Sequence, residues 1–166
     1  MKIDKNLFLM PQKETAPFFL KKLHHEFEIE AVAILLWAAL EATNKLSGHR
    51  LYRQKMEETK AFLATISELY GVYIAGNDTP IAMLAVEEDS IERIAVSPGY
   101  QQRGIATALM VFAKEKLTAE YVDVYADNQP AVHFFEHCGL SMFDETAPEP
   151  GDLMAKDPYK IIHLMS

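Results

Sequence analysis

The segment from Ser97 to Met110 (SPGYQQRGIATALM) joins a polar, glycine-containing turn to apolar residues at helical spacing. A turn that leads from a strand into a helix leaves backbone N–H groups without partners and exposes the positive end of the helix dipole. Such a turn can bind phosphate, and Gly104 would allow a close approach of the backbone because it has no Cβ. Arg103 would add a charged fork for phosphate oxygens. These residues by themselves are equally compatible with a plain helix start and with an anion site.

Three further side chains, those of His133, His137 and Cys138, belong to residue types that often bind metals or act as nucleophiles. In this sequence a structural role explains them better. His133 and His137 are four residues apart in a predicted helix, a spacing that can chelate a metal, but no third ligand lies at a supporting distance in the sequence. Cys138 continues an apolar stripe of the same helix and is expected to be a core residue. The sequence therefore predicts no metal site.

The composition is that of a soluble globular domain. The chain has 166 residues, of which 49% are hydrophobic and 24% are charged, and this length suits one domain with one core. The longest apolar run, Ala31 to Leu40, is too short to span a bilayer. A single cysteine excludes an internal disulfide, and the first residues lack the cleavage site of a signal peptide. We expect a cytoplasmic protein without a membrane partner.

The net charge of −8 bears on the partner class. Binding to nucleic acid requires a basic surface, so we expect no nucleic-acid partner. An acidic protein is compatible with a cationic substrate such as an amine. The same charge also has a simpler explanation, because a moderate negative charge keeps proteins soluble.

The apolar patterning predicts helices first and then strands that are separated by two crossover helices, which indicates an α+β fold with a mixed sheet. A turn cluster at residues 76–80 separates two strands and predicts a hairpin. The predicted elements, in order, are a short strand within residues 3–10, helices over about 15–44 (with a break near residue 28) and 52–70, strands at 71–75, 81–86 and 90–96, a helix over 104–117, a strand at 121–126, a helix over 129–138, and strands near 140–143 and 159–165.

Two sequence blocks resemble the signature of the GNAT superfamily of acyl-CoA N-acyltransferases. Residues 101–106 (QQRGIA) are similar to the Q/R-x-x-G-x-G/A motif, and residues 95–100 (AVSPGY) are similar to the V-x-P-x-Y segment that leads to it. Residues 128–140 (NQPAVHFFEHCGL) resemble the block N-x-x-A-x-x-F-Y-E-x-x-G-F. Both blocks occur in the expected order, each where a strand leads into a helix.

The resemblance covers about residues 31–164 and is greatest to small bacterial members of undefined substrate. It implies a single N-acetyltransferase domain over residues 1–166, in which residues 1–28 would be an N-terminal extension. The implied fold is a mixed, mostly antiparallel sheet with helices on both faces and two N-terminal helices. The resemblance is also compatible with a homodimer.

The implied function is transfer of an acetyl group from acetyl-CoA, as co-substrate, to a primary amine of a small molecule or protein by direct attack on the thioester. A non-catalytic acyl-CoA-binding or regulatory module is an alternative from another class. A further alternative is an acyltransferase with another acyl chain or acceptor. Acceptor loops vary on a constant scaffold, so the resemblance does not identify the amine.

The resemblance also implies which residues hold the co-substrate. Backbone N–H groups of residues 102–107 would bind the pyrophosphate, and the strand at residues 94–96 would lie beside the pantetheine arm. The N–H of Val96 or Ala95 would face the thioester oxygen. Asn128 would contact the pantetheine, act as a helix N-cap, or do both. The implied cofactor-binding residues are Ile94, Ala95, Val96, Gln101, Gln102, Arg103, Gly104, Ile105, Ala106, Thr107, Asn128 and Phe135.

The candidate catalytic residues are Glu92, Asp123 and Tyr125. An amine with an ordinary pKa of about 10.4 is charged at neutral pH, so a carboxylate would remove a proton from it. Glu92 and Asp123 lie on two neighbouring strands that separate around the co-substrate in this family; each would otherwise be an exposed strand carboxylate, with Arg93 as a partner for Glu92. Phe135 stands where the family often has a tyrosine that protonates the thiolate, so Tyr125 or solvent would replace that acid.

Overall fold

The structure, a computed structural model, describes residues 8–9, 18–47, 56–126, 128–146 and 161–166. These residues form eight strands and four α-helices. None of the helices in these ranges is long and apolar enough to cross a membrane. In chain order the elements are β1 (Phe8–Leu9), β2 (Phe18–Lys22), α1 (Glu26–Ser47), α2 (Met56–Ala64), β3 (Glu68–Ile74), β4 (Ala82–Glu87), β5 (Ser90–Val96), α3 (Ile105–Lys116), β6 (Tyr121–Tyr125), α4 (Gln129–His137), β7 (Ser141–Thr146) and β8 (Ile161–Met165).

The strands form one sheet in the order β1-β2-β3-β4-β5-β6-β8-β7. Every neighbouring pair is antiparallel except β5 and β6, which are parallel. The parallel connection follows from the crossover helix α3, which carries the chain from the end of β5 back to the start of β6. The predicted hairpin is present, because β3 and β4 are antiparallel neighbours joined across the turn.

Helices cover both faces of the sheet, and each face has its own core. On one face, α1 and α2 pack against β3, β4 and β5 through residues such as Val32, Leu36 and Leu63. On the other face, α3 and α4 pack through residues such as Leu109 and Phe135. The predicted fold class, a mixed and mostly antiparallel sheet with helices on both faces, is confirmed.

Two predicted helices were wrong at their ends. Residues 18–22 were predicted within a helix, but they form β2, whose residues Phe18 to Lys22 pair with Ile74 to Tyr70 of β3. Residues 68–70 were also predicted as helix, but they begin β3. Both segments have apolar residues at spacings that suit a helix as well as a strand. Backbone pairing with distant segments of the chain makes them strands. The predicted N-terminal strand is present at Phe8–Leu9, and the rest of that prediction lies outside the described residues.

The start of α1 is fixed by Glu28, which is 3% exposed. Its Oε1 accepts hydrogen bonds from the backbone N–H groups of His24 and His25, and its other oxygen pairs with Lys21. Burial by itself raises the pKa of Glu28, but the hydrogen bonds and the Lys21 charge outweigh this effect and hold the pKa below its ordinary value. The carboxylate therefore stays charged and caps the helix, as the acidic member of a capping box does.

Candidate active site

A cleft of about 860 Å³ opens where β5 and β6 separate. Within the described residues the two parallel strands pair only at Ser90 with Tyr121 and at Ile91 with Val122. Beyond these two positions the strands diverge, and the β6 side of β5 from Glu92 onward borders the cleft. The sheet is thus split between β5 and β6. The gap lies between α1 on one face of the sheet and α3 and α4 on the other.

β5 carries an extra residue at Glu92, where its pairing with β4 changes register. Ala85 of β4 lies opposite Arg93, but Val86 lies opposite Ile91, so Glu92 has no partner in β4. A bulge of this kind bends the strand and redirects side chains, and bulges are frequent beside active sites. Glu92 is half-buried and lines the cleft at the point where the two strands separate.

The backbone of β5 directs the N–H group of Val96 toward the cleft. The N–H of Ser97 donates to the carbonyl oxygen of Ile81 at 2.8 Å and so points toward β4. Successive residues of a strand turn their N–H and C=O groups to opposite edges, so those of Val96 point away from β4. In agreement, the carbonyl oxygen of Val96 accepts a hydrogen bond from Nε2 of Gln101 at 3.2 Å. Of the two N–H groups expected to face a thioester, that of Val96 borders the cleft, whereas that of Ala95 points toward β4.

The turn before α3 places unpaired N–H groups at one end of the cleft. Gln102 and Gly104 have φ angles of 62° and 82°, the left-handed region that favours glycine. Gly104 is the N-cap of α3, and its cap has no side-chain hydrogen bond. The N–H groups of residues 105–107 have no acceptor within the helix, since the N–H of Ala108 is the one that donates to Gly104. Residues 104–107 all line the cleft.

α4 contributes the opposite wall near that end. The Oδ1 of Asn128 accepts a hydrogen bond from the N–H of Ala131 at 3.4 Å, which confirms Asn128 as the N-cap of α4. Phe135 is 5% exposed and packs edge-on against Phe134, with 5.1 Å between the ring centres. Asn128, Phe134 and Phe135 all line the cleft.

Asp123 is held by a residue that sequence reasoning did not single out. Its Oδ1 lies 2.5 Å from Nδ1 of His163, which is its cross-strand partner in β8. The Asp123 side chain is 65% exposed and that of His163 is 23% exposed. The ring of Phe143 in β7 lies 6.1 Å from the His163 ring, centre to centre. The pair and its aromatic neighbour lie on the sheet face of α1 and α2, beyond the area that these helices cover.

The predicted site residues are brought together in space. Every one of them except Arg103 lines the cleft. Arg103 is exposed beside it, 5.0 Å from the centre of the Tyr100 ring, and its Nη2 donates weakly to the Gly99 carbonyl at 3.5 Å. α1 closes the cleft on the other side with the apolar residues Leu36 and Leu40.

His133, His137 and Cys138, whose residue types can bind metals or act as nucleophiles, lie outside the cleft and lack the surroundings that such roles require. His133 and His137 are exposed on α4, and the described residues contain no group of three potential metal ligands. Burial raises the pKa of the Cys138 thiol, although the charge of Lys114 acts in the opposite direction. The thiol is therefore protonated and unsuited to act as a nucleophile.

His163 and Arg93 are the residues of this region whose positions the sequence did not reveal. His163 stands 40 residues from Asp123 in the chain, and its signal is a single histidine within the otherwise apolar strand β8, IIHLM. Arg93 was considered only as a partner for the Glu92 carboxylate. In the structure Nη1 of Arg93 donates instead to the backbone oxygen of Glu92, at 2.6 Å.

The sequence matches a family model described as the acetyltransferase (GNAT) family over residues 12–140. The match starts before residue 31, where the motif resemblance was expected to begin, and it includes β2. No curated protein matches the sequence of this chain.

Solved structures with the same fold have low sequence identity to this chain. The apo form of YjaB from Escherichia coli superposes with a TM-score of 0.71 at 15% identity, covering 89% of this chain and 96% of that one. Spermidine N-acetyltransferase from Vibrio cholerae, solved with CoA and spermine, gives a TM-score of 0.60 at 17% identity and covers 89% and 93%. The ribosomal-protein-S18-alanine N-acetyltransferase from Escherichia coli gives 0.60 at 16% identity and covers 89% and 91%. At such identities these neighbours establish the fold alone, whereas the family match spans most of the sequence. The chain belongs to the GNAT family of acetyltransferases.

Proposed function

We propose that this protein transfers the acetyl group of acetyl-CoA to a primary amine. The neutral amine attacks the thioester carbonyl directly, so that a C–N bond forms and the C–S bond breaks. One proton leaves the amine nitrogen, and one proton is taken up by the CoA thiolate. The acceptor is a small molecule or a protein amine.

The observation that carries this proposal is the divergence of β5 and β6 beside the uncapped start of α3. The N–H groups of residues 105–107 and the α3 dipole are suited to the pyrophosphate of acetyl-CoA. The edge of β5 that faces away from β4 is suited to pair with the amides of the pantetheine arm, as another strand would. The CoA-bound Vibrio cholerae neighbour supports CoA as the ligand class.

Stabilisation of the thioester oxygen is proposed for the N–H of Val96. Negative charge develops on that oxygen as the amine attacks, and a fixed N–H donor stabilises it without reorganisation. The direction of the Val96 N–H toward the cleft supports this role. Removing a donor of this kind typically costs about a hundredfold or more in kcat.

The proton of the amine is proposed to pass to Glu92 rather than to Asp123. Both carboxylates line the cleft. Glu92 is half-buried at the bulge of β5, whereas Asp123 is 65% exposed and held by His163. A base in the cleft wall that is partly shielded from water is better placed to accept a proton from a bound amine.

Protonation of the leaving thiolate is proposed for Tyr125. Phe135 lies in the wall of the cleft and cannot donate a proton, whereas Tyr125 ends β6 and lines the same cleft. A CoA thiol with an ordinary pKa of about 8.5 also leaves moderately well without an acid. Tyr125 would therefore accelerate this step without being essential for it.

Tyr125→Phe should therefore lower kcat, by about a hundredfold if general acid catalysis has its usual size. Adding Phe135→Tyr to that variant should restore part of the rate, because it places a phenol in the same cleft on a ring of nearly equal volume. Single-turnover thiol release measures both effects. If the added hydroxyl instead has no partner, the variant should lose about 1–3 kcal/mol of stability and regain no activity.

The proposed function is tested by free-thiol release from acetyl-CoA with a panel of primary amines. We expect turnover with at least one amine class, and a raised melting temperature with CoA because CoA binds only the native state. Absence of a thermal shift at millimolar CoA would contradict the whole proposal.

A non-catalytic acyl-CoA-binding module is the second candidate, and phenylalanine at position 135 is the observation that favours it. The two candidates differ in one measurement. The module would show the thermal shift with acetyl-CoA but would release no thiol with any amine, in the wild type and in the Phe135→Tyr variant alike.

A further inference from the structure

Arg93 lines the cleft and lies on the sheet face that α1 and α2 cover. Its guanidinium carbon lies 4.7 Å from the centre of the Phe62 ring in α2. Its Nη1 donates to the backbone oxygen of Glu92, which holds the planar group against the bulge of β5. Arg93 is half-buried and is one of the residues that line the cleft.

The charge of Arg93 has no carboxylate partner within the described part of the chain. Lys21, Lys22 and His163 each contact a carboxylate, but no described Asp or Glu lies within ion-pair distance of Arg93. Burial lowers the pKa of Arg93, although the nearby negative charge of Glu92 acts in the opposite direction. Buried charges in proteins are normally paired, and a guanidinium fork matches the two oxygens of a carboxylate. An anion from outside the chain would complete this arrangement.

The groups around Arg93 give the cleft a mixed character. Glu92 and Asp123 supply two carboxylates at the separation of β5 and β6, and Leu36 and Leu40 of α1 supply an apolar wall. An ammonium group is attracted to the carboxylates, and a carboxylate is attracted to Arg93. This combination suits a small molecule that carries both groups, separated by a short apolar chain.

We propose that Arg93 binds the carboxylate of the acceptor, so that the preferred acceptors are small amino acids whose amine lies toward Glu92. This inference rests on the proposed acetyl transfer and specifies its acceptor class. Arg93 acts as a specificity-determining residue, because it contacts a part of the acceptor that does not react. Binding energy at that end positions the amine for attack on the thioester.

Charge distinguishes this acceptor class from two others. A polyamine would bring a second ammonium toward the guanidinium, and like charges repel in a partly shielded cleft. A phosphate monoester carries about two negative charges and would meet one guanidinium and two carboxylates. A carboxylate has the single charge and the planar shape that one guanidinium pairs with.

The test compares acceptors that differ only in the carboxylate. Acetyl-CoA turnover is measured with glycine, β-alanine and γ-aminobutyrate, each beside its carboxamide, and with spermidine and O-phosphoethanolamine. The wild type should use at least one amino acid about thirtyfold or more better than its amide in kcat/KM, as expected for a buried charged pair. This preference would oppose intrinsic reactivity, because an amide lowers the pKa of a nearby amine and leaves more of it neutral.

Arg93→Gln should remove the preference for the amino acid over its amide, so that the two kcat/KM values become nearly equal. Arg93→Lys should keep part of the preference, because it retains the charge but loses the fork. Lys116→Gln is the matched control, because it removes one positive charge at the exposed end of α3 and should change neither value. The thermal shift with CoA verifies that each variant is folded.

The outcomes separate this inference from the proposed function. Turnover of amines with equal use of acid and amide, or an Arg93→Gln variant that keeps the preference, would overturn the role of Arg93 and leave acetyl transfer standing. Faster turnover of spermidine or O-phosphoethanolamine than of every amino acid would also overturn it. Thiol release with none of these amines, despite a thermal shift with CoA, would overturn the amino-acid acceptor class, whereas acetyl transfer itself is overturned only if no amine of the wider panel releases thiol.

Discussion

The Gly104→Val variant should show no increase in melting temperature with CoA, whereas the wild type should gain roughly 5 to 10 °C at a CoA concentration about a hundred times Kd. Gly104 starts α3 at a φ of 82°, and a Cβ built on it meets no protein atom within 4 Å. Because Gly104 lines the cleft, the added side chain would occupy the space in which the pyrophosphate is proposed to lie against the helix N-terminus.

The backbone itself adds a second effect, which needs its own control. A β-branched residue in the left-handed region costs about 1–2 kcal/mol or more, so the variant should also melt at a lower temperature without ligand. Gly76, in the turn between β3 and β4, has the same φ of 82° and equally open surroundings, but it does not line the cleft. Gly76→Val should therefore lose similar stability and keep the full thermal shift.

Two results with the glycine variants would contradict the proposed phosphate site. If Gly104→Val retains the shift that CoA produces, then the α3 turn is not the phosphate site. If both variants lose the shift equally, the loss reflects general destabilisation, and the turn has no special role.

Glu92→Gln should lower kcat by about a hundredfold or more, while the thermal shift with CoA stays unchanged. The substitution keeps the shape of the side chain and removes its capacity to accept a proton from the amine. Because Glu92 is half-buried beside the strand bulge, solvent should replace it poorly. Pre-steady-state thiol release with a good acceptor measures the chemical step directly.

Asp123→Asn is the matched comparison for that variant. Asp123 is 65% exposed and contacts His163, so we expect a smaller loss of rate than for Glu92→Gln. If Asp123→Asn has the larger effect and His163→Gln shares it, then the base belongs to the pair on β6 and β8. Equal and small effects at Glu92 and Asp123 would mean that the amine loses its proton to solvent.

Local sequence determined the segments that hold the co-substrate in this proposal. The strand at Ser90–Val96, the turn that ends in Gly104 and the helix that follows were all predicted at nearly their observed bounds. Asn128 was expected to contact the pantetheine, to cap the helix, or to do both, and it does cap α4. These features follow from residue types within a few positions of each other, such as a glycine at positive φ, an asparagine N-cap and alternating apolar residues.

Tertiary structure alone decided the features that depend on distant residues. β2 was predicted as helix because its apolar spacing suits both structures, and hydrogen bonding to β3, about fifty residues later in the chain, made it a strand. The contact of Asp123 with His163 and the stacking of Arg93 on Phe62 also join separate elements. The cleft itself exists because β5 and β6 pair at two positions and then diverge, and only the twist and packing of the whole sheet determine where two strands separate.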